Sequence, residues 1–125
     1  MLTLIKYGTL VTEEKSLTAD LLIEDDKIIQ IAEKIEIREE IKVVDATGLF
    51  VLPGGVDVHV HLDLPMFGTV SSDDHYTGTK AAAFGGTTTV IDFVSQDSDD
   101  LIKNVRVLKE KAASKAAVDY SFHAN

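Results

Sequence analysis

The sequence predicts an α/β protein in two parts, a β-sandwich portion over residues 1–52 and a parallel βα portion over residues 53–125. Short Ile-, Val- and Leu-rich runs of strand length fill the chain up to Leu52. Beyond Pro53 the pattern becomes strand, helix, strand, helix, strand. Such alternation builds a parallel sheet with right-handed crossovers, either an open doubly wound sheet or the opening of a (β/α)8 barrel. An apolar content of 45% with two prolines in 125 residues is that of a folded globular chain.

In the first part, strands are expected at Leu2 to Tyr7, Thr9 to Val11, Ala19 to Glu24, Lys27 to Ala32 and Lys42 to Asp45, with a last one around Phe50-Val51. Asp25-Asp26 lies between Ile23 and the Ile28-Ile29 run and fits a tight hairpin, with Asp26 where glycine would better tolerate a positive φ. In the second part, Val56 to His59 begins the first strand. Ser71 or Ser72 can cap a helix running to Phe84, which Gly85-Gly86 ends. Thr87 to Phe93 is β-branched and apolar and reads as the second strand. Ser98 is the expected N-cap of the next helix, with Asp99 and Asp100 in its first turn and Lys109, Lys111 and Lys115 near its end, as the helix dipole favours. Leu101, Ile102, Val105, Leu108 and Ala112 fall on one face of that helix. Val118 to Phe122 reads as the third strand.

Composition removes several function classes. Without cysteine there are no disulfides, thiolate zinc clusters or cysteine nucleophiles, so any metal must use nitrogen or oxygen ligands. The formal charge of −9 comes from scattered acidic residues such as Glu13-Glu14 and Glu39-Glu40, a solvated surface that makes nucleic acid a poor partner. No apolar run approaches the ~20 residues needed to span a bilayer, and the N-terminus lacks the features of a secretory signal. The expectation is a soluble cytoplasmic protein.

The chemistry-bearing residues sit at the end of the first strand of the second part. His59 and His61 are two apart, so strand alternation points both imidazoles to one face, where they could hold one metal ion at ~2.0 to 2.1 Å. A His-x-His pair alone also suits packing or a surface, but the C-terminal end of a parallel strand is where α/β sheets place their chemistry. Asp57 shares that face, and binding backbone groups at the strand start explains it.

These residues carry a resemblance. Pro53-Gly54-Gly55-Val56-Asp57-Val58-His59-Val60-His61-Leu62-Asp63, preceded by Val44-Asp45-Ala46-Thr47-Gly48 and followed by Gly68-Thr69 and Ala81-Ala82-Ala83-Phe84-Gly85-Gly86-Thr87-Thr88-Thr89, resembles the hydantoinase/dihydropyrimidinase branch of the amidohydrolase superfamily. Each motif is common alone; their order and spacing are specific, and the match runs through essentially the whole chain. The resemblance implies a β-sandwich plus a (β/α)8 TIM-like barrel, two divalent metal ions, usually zinc, and His59 and His61 as ligands of the more buried one. It implies that a carboxylated lysine, two further histidines and an aspartate come from later strands. It also implies a small cyclic ureide or imide substrate and a homo-oligomer, commonly a tetramer. Leu64-Pro65-Met66-Phe67-Gly68-Thr69 departs from the family pattern, with Met-Phe where Phe-Gly is more usual. That loop helps form the pocket for the ring substituent in relatives, which makes Leu64, Met66 and Phe67 candidate substrate contacts, with a packed surface loop as the equal alternative.

Other polar residues are set aside. His75 falls in the first turn of the first helix as a solvent-facing residue; His123, ending the third strand on the face of Asp119 and Ser121, could look into a barrel mouth but is not a ligand in the family, and Asp92 near the end of the second strand has similar standing. Two alternatives to ring hydrolysis of a hydantoin or dihydropyrimidine are a dihydroorotase or allantoinase, and a non-catalytic dihydropyrimidinase-like scaffold. Dihydroorotases carry an arginine two residues after the second histidine to pair with the substrate carboxylate; here that position is Asp63. Retention of both histidines disfavours the scaffold. A barrel of this kind takes ~250 residues, so a truncated chain is expected, inactive on its own.

Overall fold

The computed structural model describes residues 1–37, 40–95 and 99–124. Contacts divide them into two compact units, Met1–Pro53 and Gly54–Asn125. The first unit is one five-stranded mixed sheet. β1 (Leu2–Val11) pairs antiparallel with β2 (Ser16–Glu24), which pairs antiparallel with β3 (Lys27–Ala32), while β4 (Lys42–Asp45) and β5 (Phe50–Val51) lie parallel to β1.

The two strands expected over Leu2 to Val11 are a single bulged strand. Its register shifts between Ile5 and Gly8, and Tyr7 sits at φ 64° in the break. Buried Asp20 stabilises it, accepting the Tyr7 N–H at 3.2 Å and the Ile35 N–H at 2.9 Å. The hairpin turn is at Asp25-Asp26, but the positive φ (53°) falls on Asp25, not Asp26. Leu21 and Leu22 point to opposite faces of β2, so each face has its own apolar cluster. Leu22 packs with Leu4 and Ile35, and Leu21 with Leu10 and Ala19. Ile28 and Ile31 on β3 and Val43 on β4 remain exposed. Within Met1–Pro53 the described residues form this one sheet.

The second unit is a three-stranded parallel sheet in the order β10-β9-β6, with β6 (Gly55–Val60) and β10 (Asp119–His123) flanking β9 (Thr87–Phe93). Helix α1 (His75–Phe84) joins β6 to β9 and α2 (Leu101–Ala113) joins β9 to β10. A short hairpin, β7 (Pro65–Met66) and β8 (Thr69–Val70), follows β6. These are strand–helix–strand units with every pair parallel, the grammar expected, although closure into a barrel is not displayed by three strands.

Helix starts differ from expectation. The N-cap of α1 is Asp74, not Ser71 or Ser72: its carboxylate accepts the Tyr76 and Thr77 N–H groups, and the Thr77 hydroxyl closes a capping box. Ser71 instead holds the hairpin base, its hydroxyl accepting the Leu64 N–H at 3.0 Å. Ser98 lies outside the described residues; the N-cap of α2 is Asp100, whose side chain accepts the Lys103 N–H, so Asp100 precedes the first turn. The buried stripe of α2 is Asn104, Leu108 and Ala112, one every four residues, whereas Leu101 and Ile102 are exposed. Lys115 lies past the helix end, where its ammonium pairs with Asp74 at 3.0 Å. No helix among the described residues is long and apolar enough to cross a membrane.

Candidate functional site

The C-terminal edge of the parallel sheet gathers four rings. His59 and His61 come from β6 and the residue after it, Phe93 ends β9, and His123 ends β10. The Nε2 atoms of His59 and His61 are 3.3 Å apart, so the convergence expected from strand alternation is present. Phe93 lies against all three histidines, its ring centre 4.4 Å from His59, 5.2 Å from His61 and 4.7 Å from His123.

The His59–His61 spacing has a chemical meaning. Two nitrogens bound ~2.0 to 2.1 Å from one tetrahedral ion stand about 3.3 to 3.4 Å apart. The observed 3.3 Å therefore equals the edge of a tetrahedral site. Two imidazoles without a thiolate suit zinc and similar borderline ions. Among the described residues, no group of three or more His, Asp or Glu side chains is arranged to hold a metal ion, so the pair is two corners of a site.

The strand that carries the pair is irregular. The β6–β9 register shifts between Asp57 and Val60, leaving Val58 and His59 outside the ladder. Asp57 takes up the slack on one side, its Oδ1 accepting the His59 N–H at 3.1 Å, so it binds backbone as expected. Bulges of this kind re-aim side chains beside active sites.

Asp92, which His61 neighbours, also borders a buried polar group that the sequence reading missed. His75 is 1% exposed, not solvent-facing. Its Nδ1–H donates to Asp63 Oδ2 at 2.8 Å, and the same oxygen takes its backbone N–H at 3.2 Å. Its Nε2 has no hydrogen-bond partner, although Asp92 Oδ2 is 3.4 Å away. Asp92 accepts the Leu62 and Phe93 N–H groups, tying the end of β9 to the residue after His61. Burial pushes the Asp92 carboxyl up, against these two bonds. Burial also works to raise Asp63, but the two bonds from His75 and the nearby Lys115 outweigh it and hold Asp63 below the usual carboxylate range. The Asp63 charge is thus already partnered and does not stand free before a substrate. A sequence signal for this network existed only in the acidic residues flanking the motif, Asp63 and Asp92, each beside an apolar run.

Leu64 is half-buried at the base of the β7–β8 hairpin, and Met66 and Phe67 form its tip. Phe67 is 96% exposed and sits at φ 52°, a left-handed conformation that a bulky residue adopts at a cost. Nothing within the hairpin explains a phenylalanine there.

The amidohydrolase family model matches residues 50–125. The chain is 49% identical over 124 residues to a D-hydantoinase of Geobacillus stearothermophilus, covering 98% of this chain and 26% of that protein. It is 46% identical to a dihydropyrimidinase of Dictyostelium discoideum, covering 96% of this chain and 24% of that one. The crystal structure of a dihydropyrimidinase from Brevibacillus agri NCHU1002 superposes with a TM-score of 0.93 at 45% identity, over 98% of this chain and 27% of the other. The chain spans about a quarter of the length of these relatives.

Proposed function

Since the chain belongs to the amidohydrolase family, in its hydantoinase/dihydropyrimidinase branch, we propose that the protein hydrolyses a cyclic amide, opening a hydantoin or dihydropyrimidine ring. In this reading residues 53–125 are the first strands and helices of a (β/α)8 barrel, and residues 1–52 are part of a β-sandwich. The exposed Ile28, Ile31 and Val43 accord with further strands packing there.

One observation carries the chemical reading: two imidazole nitrogens 3.3 Å apart at the C-terminal edge of a parallel sheet. His59 and His61 would hold one of two divalent ions, zinc being the ion the donor set suits best, with the other ligands contributed by later strands. Bound there, the ions supply water activation near neutral pH and polarisation of the scissile carbonyl. His59 and His61 position the ion and carry no proton. Phe93, lying against both rings, keeps them in place and shields one side of the site from water. Leu64, Met66 and Phe67 contact the ring substituent, which gives the strained Phe67 a use. The protein acts in the cytoplasm as a homo-oligomer, a tetramer as is common in the branch. A dihydroorotase would need a cation two residues after His61, and Asp63 is there, engaged with His75.

The test is elemental analysis and ring-opening assay of a protein of its relatives' length carrying this segment. Bound divalent metal and turnover of hydantoin or dihydrouracil are expected, with H59A and H61A each losing both. A wild-type protein that holds no metal, or an H59A variant with unchanged turnover, refutes the reading.

A further inference from the structure

The peptide group between Val58 and His59 lies outside the β6–β9 ladder, and both of its polar atoms are held by side chains. Its N–H goes to Asp57 Oδ1 at 3.1 Å. Its carbonyl goes to His123 Nε2 at 2.9 Å, reached from β10 across the intervening β9. A carbonyl only accepts, so His123 Nε2 must carry the proton. The same imidazole lies 4.7 Å from Phe93, whose other neighbours are His59 and His61. His123 therefore touches the histidine pair twice, through the backbone just before His59 and through a shared aromatic ring.

We propose that His123 is a positioning residue for the His59–His61 pair, clamping the bulged Val58–His59 peptide so that the two ring nitrogens keep the spacing of a metal-binding edge. The proposal rests on the reading of His59 and His61 as metal ligands. His123 is not itself a third ligand: its Nε2 is spent on Val58, and no group of three such side chains converges among the described residues. A bulge left without its carbonyl partner can relax toward regular pairing, which would turn His59 relative to His61. Groups of this kind, one step removed from the metal, tune affinity by roughly 10- to 100-fold.

The experiment titrates cobalt(II) into the metal-free form of a protein of its relatives' length carrying this segment and follows its visible spectrum, comparing wild type with H123F and H123Q. Phenylalanine keeps the stacking on Phe93 and loses the donor; glutamine places an N–H where the imidazole Nε2–H was. H123F is expected to bind cobalt about tenfold more weakly with a changed spectrum. H123Q is expected to bind close to wild type, and all three should share one melting midpoint. An H123F that binds as wild type does, or an H123Q that loses as much as H123F, overturns the proposal while leaving the ligand reading intact. A wild-type protein of that length that binds no cobalt overturns both. Should H123F fail to fold, the nitrogen-15 shifts of His123 in the wild type decide: an Nε2–H tautomer is expected, and an Nδ1–H tautomer overturns the clamp.

Discussion

Replacing His75 separates what packing contributes from what its polar contacts contribute. The residue is 1% exposed, with one bonded nitrogen 2.8 Å from Asp63 and one buried nitrogen lacking a partner. Truncation to alanine removes the ring and leaves a cavity. Aromatic-to-alanine changes in cores cost about 3 to 5 kcal/mol, and the smaller imidazole places H75A near the lower end. Leucine refills most of the volume. H75L still loses the bond to Asp63, about 1.5 to 3 kcal/mol for a charged acceptor, but it also removes the unsatisfied Nε2, about 1 to 3 kcal/mol in the opposite direction. The two nearly cancel, so H75L should cost about 1 kcal/mol or less. Urea unfolding followed by far-UV circular dichroism measures both, provided the denaturant slope is unchanged. A solvent-facing His75 would keep both variants within about 0.5 kcal/mol of wild type. That result would remove the buried network; an H75L as costly as H75A would show instead that the Asp63 bond outweighs the packing.

Gly54→Ala would place a Cβ 2.0 Å from Thr88 Oγ1 and 2.7 Å from Thr88 Cβ, a β-branched side chain that cannot swing clear, so a loss of about 1 to 3 kcal/mol is expected and T88A should recover part of it. Thermal melts of the single and double variants check this. Shortening Met66 or Phe67 to alanine should change the kcat/KM ratio between bulky and unsubstituted rings by about tenfold, and an unchanged ratio would make the hairpin tip ordinary surface. Asparagine at position 67 tolerates the left-handed φ of 52° better, so F67N should raise the melting temperature while losing the same selectivity. The Asp74 carboxyl is held down to about 2 by the Thr77 N–H and then by Lys115. A depressed folded value means that its stabilising contribution is present above the ordinary value of 3.8 and is lost as pH falls through about 2. The stability gap between wild type and D74N should therefore close over that acid range, and a gap independent of pH would remove the charge from the account.

Local signals were enough for the elements whose chemistry is local. Lys27 to Ala32, Lys42 to Asp45 and Thr87 to Phe93 form strands with the expected bounds because β-branched and apolar side chains favour them. The convergence of His59 and His61 follows from the two-residue period of a strand, and the order of short motifs was enough to identify the family. The start of α1 was not legible, because Ser71, Ser72, Asp73 and Asp74 include several good caps. What selects Asp74 is long-range: the Asp63 N–H bonds the Asp73 carbonyl and the Leu64 N–H bonds Ser71, holding those residues outside the helix. The face of α2 was legible only in part: Leu108 and Ala112 are buried and Val105 half-buried as expected, but the first turn is not. Its buried stripe includes polar Asn104, while Leu101 and Ile102 face solvent, and an apolar pattern cannot reveal which turn reaches the sheet. His75 is the sharpest case. Nothing beside it in the chain marks a buried histidine; the carboxylates that meet its two nitrogens, Asp63 past the end of β6 and Asp92 in β9, are brought there by folding and leave no mark on the residues next to His75.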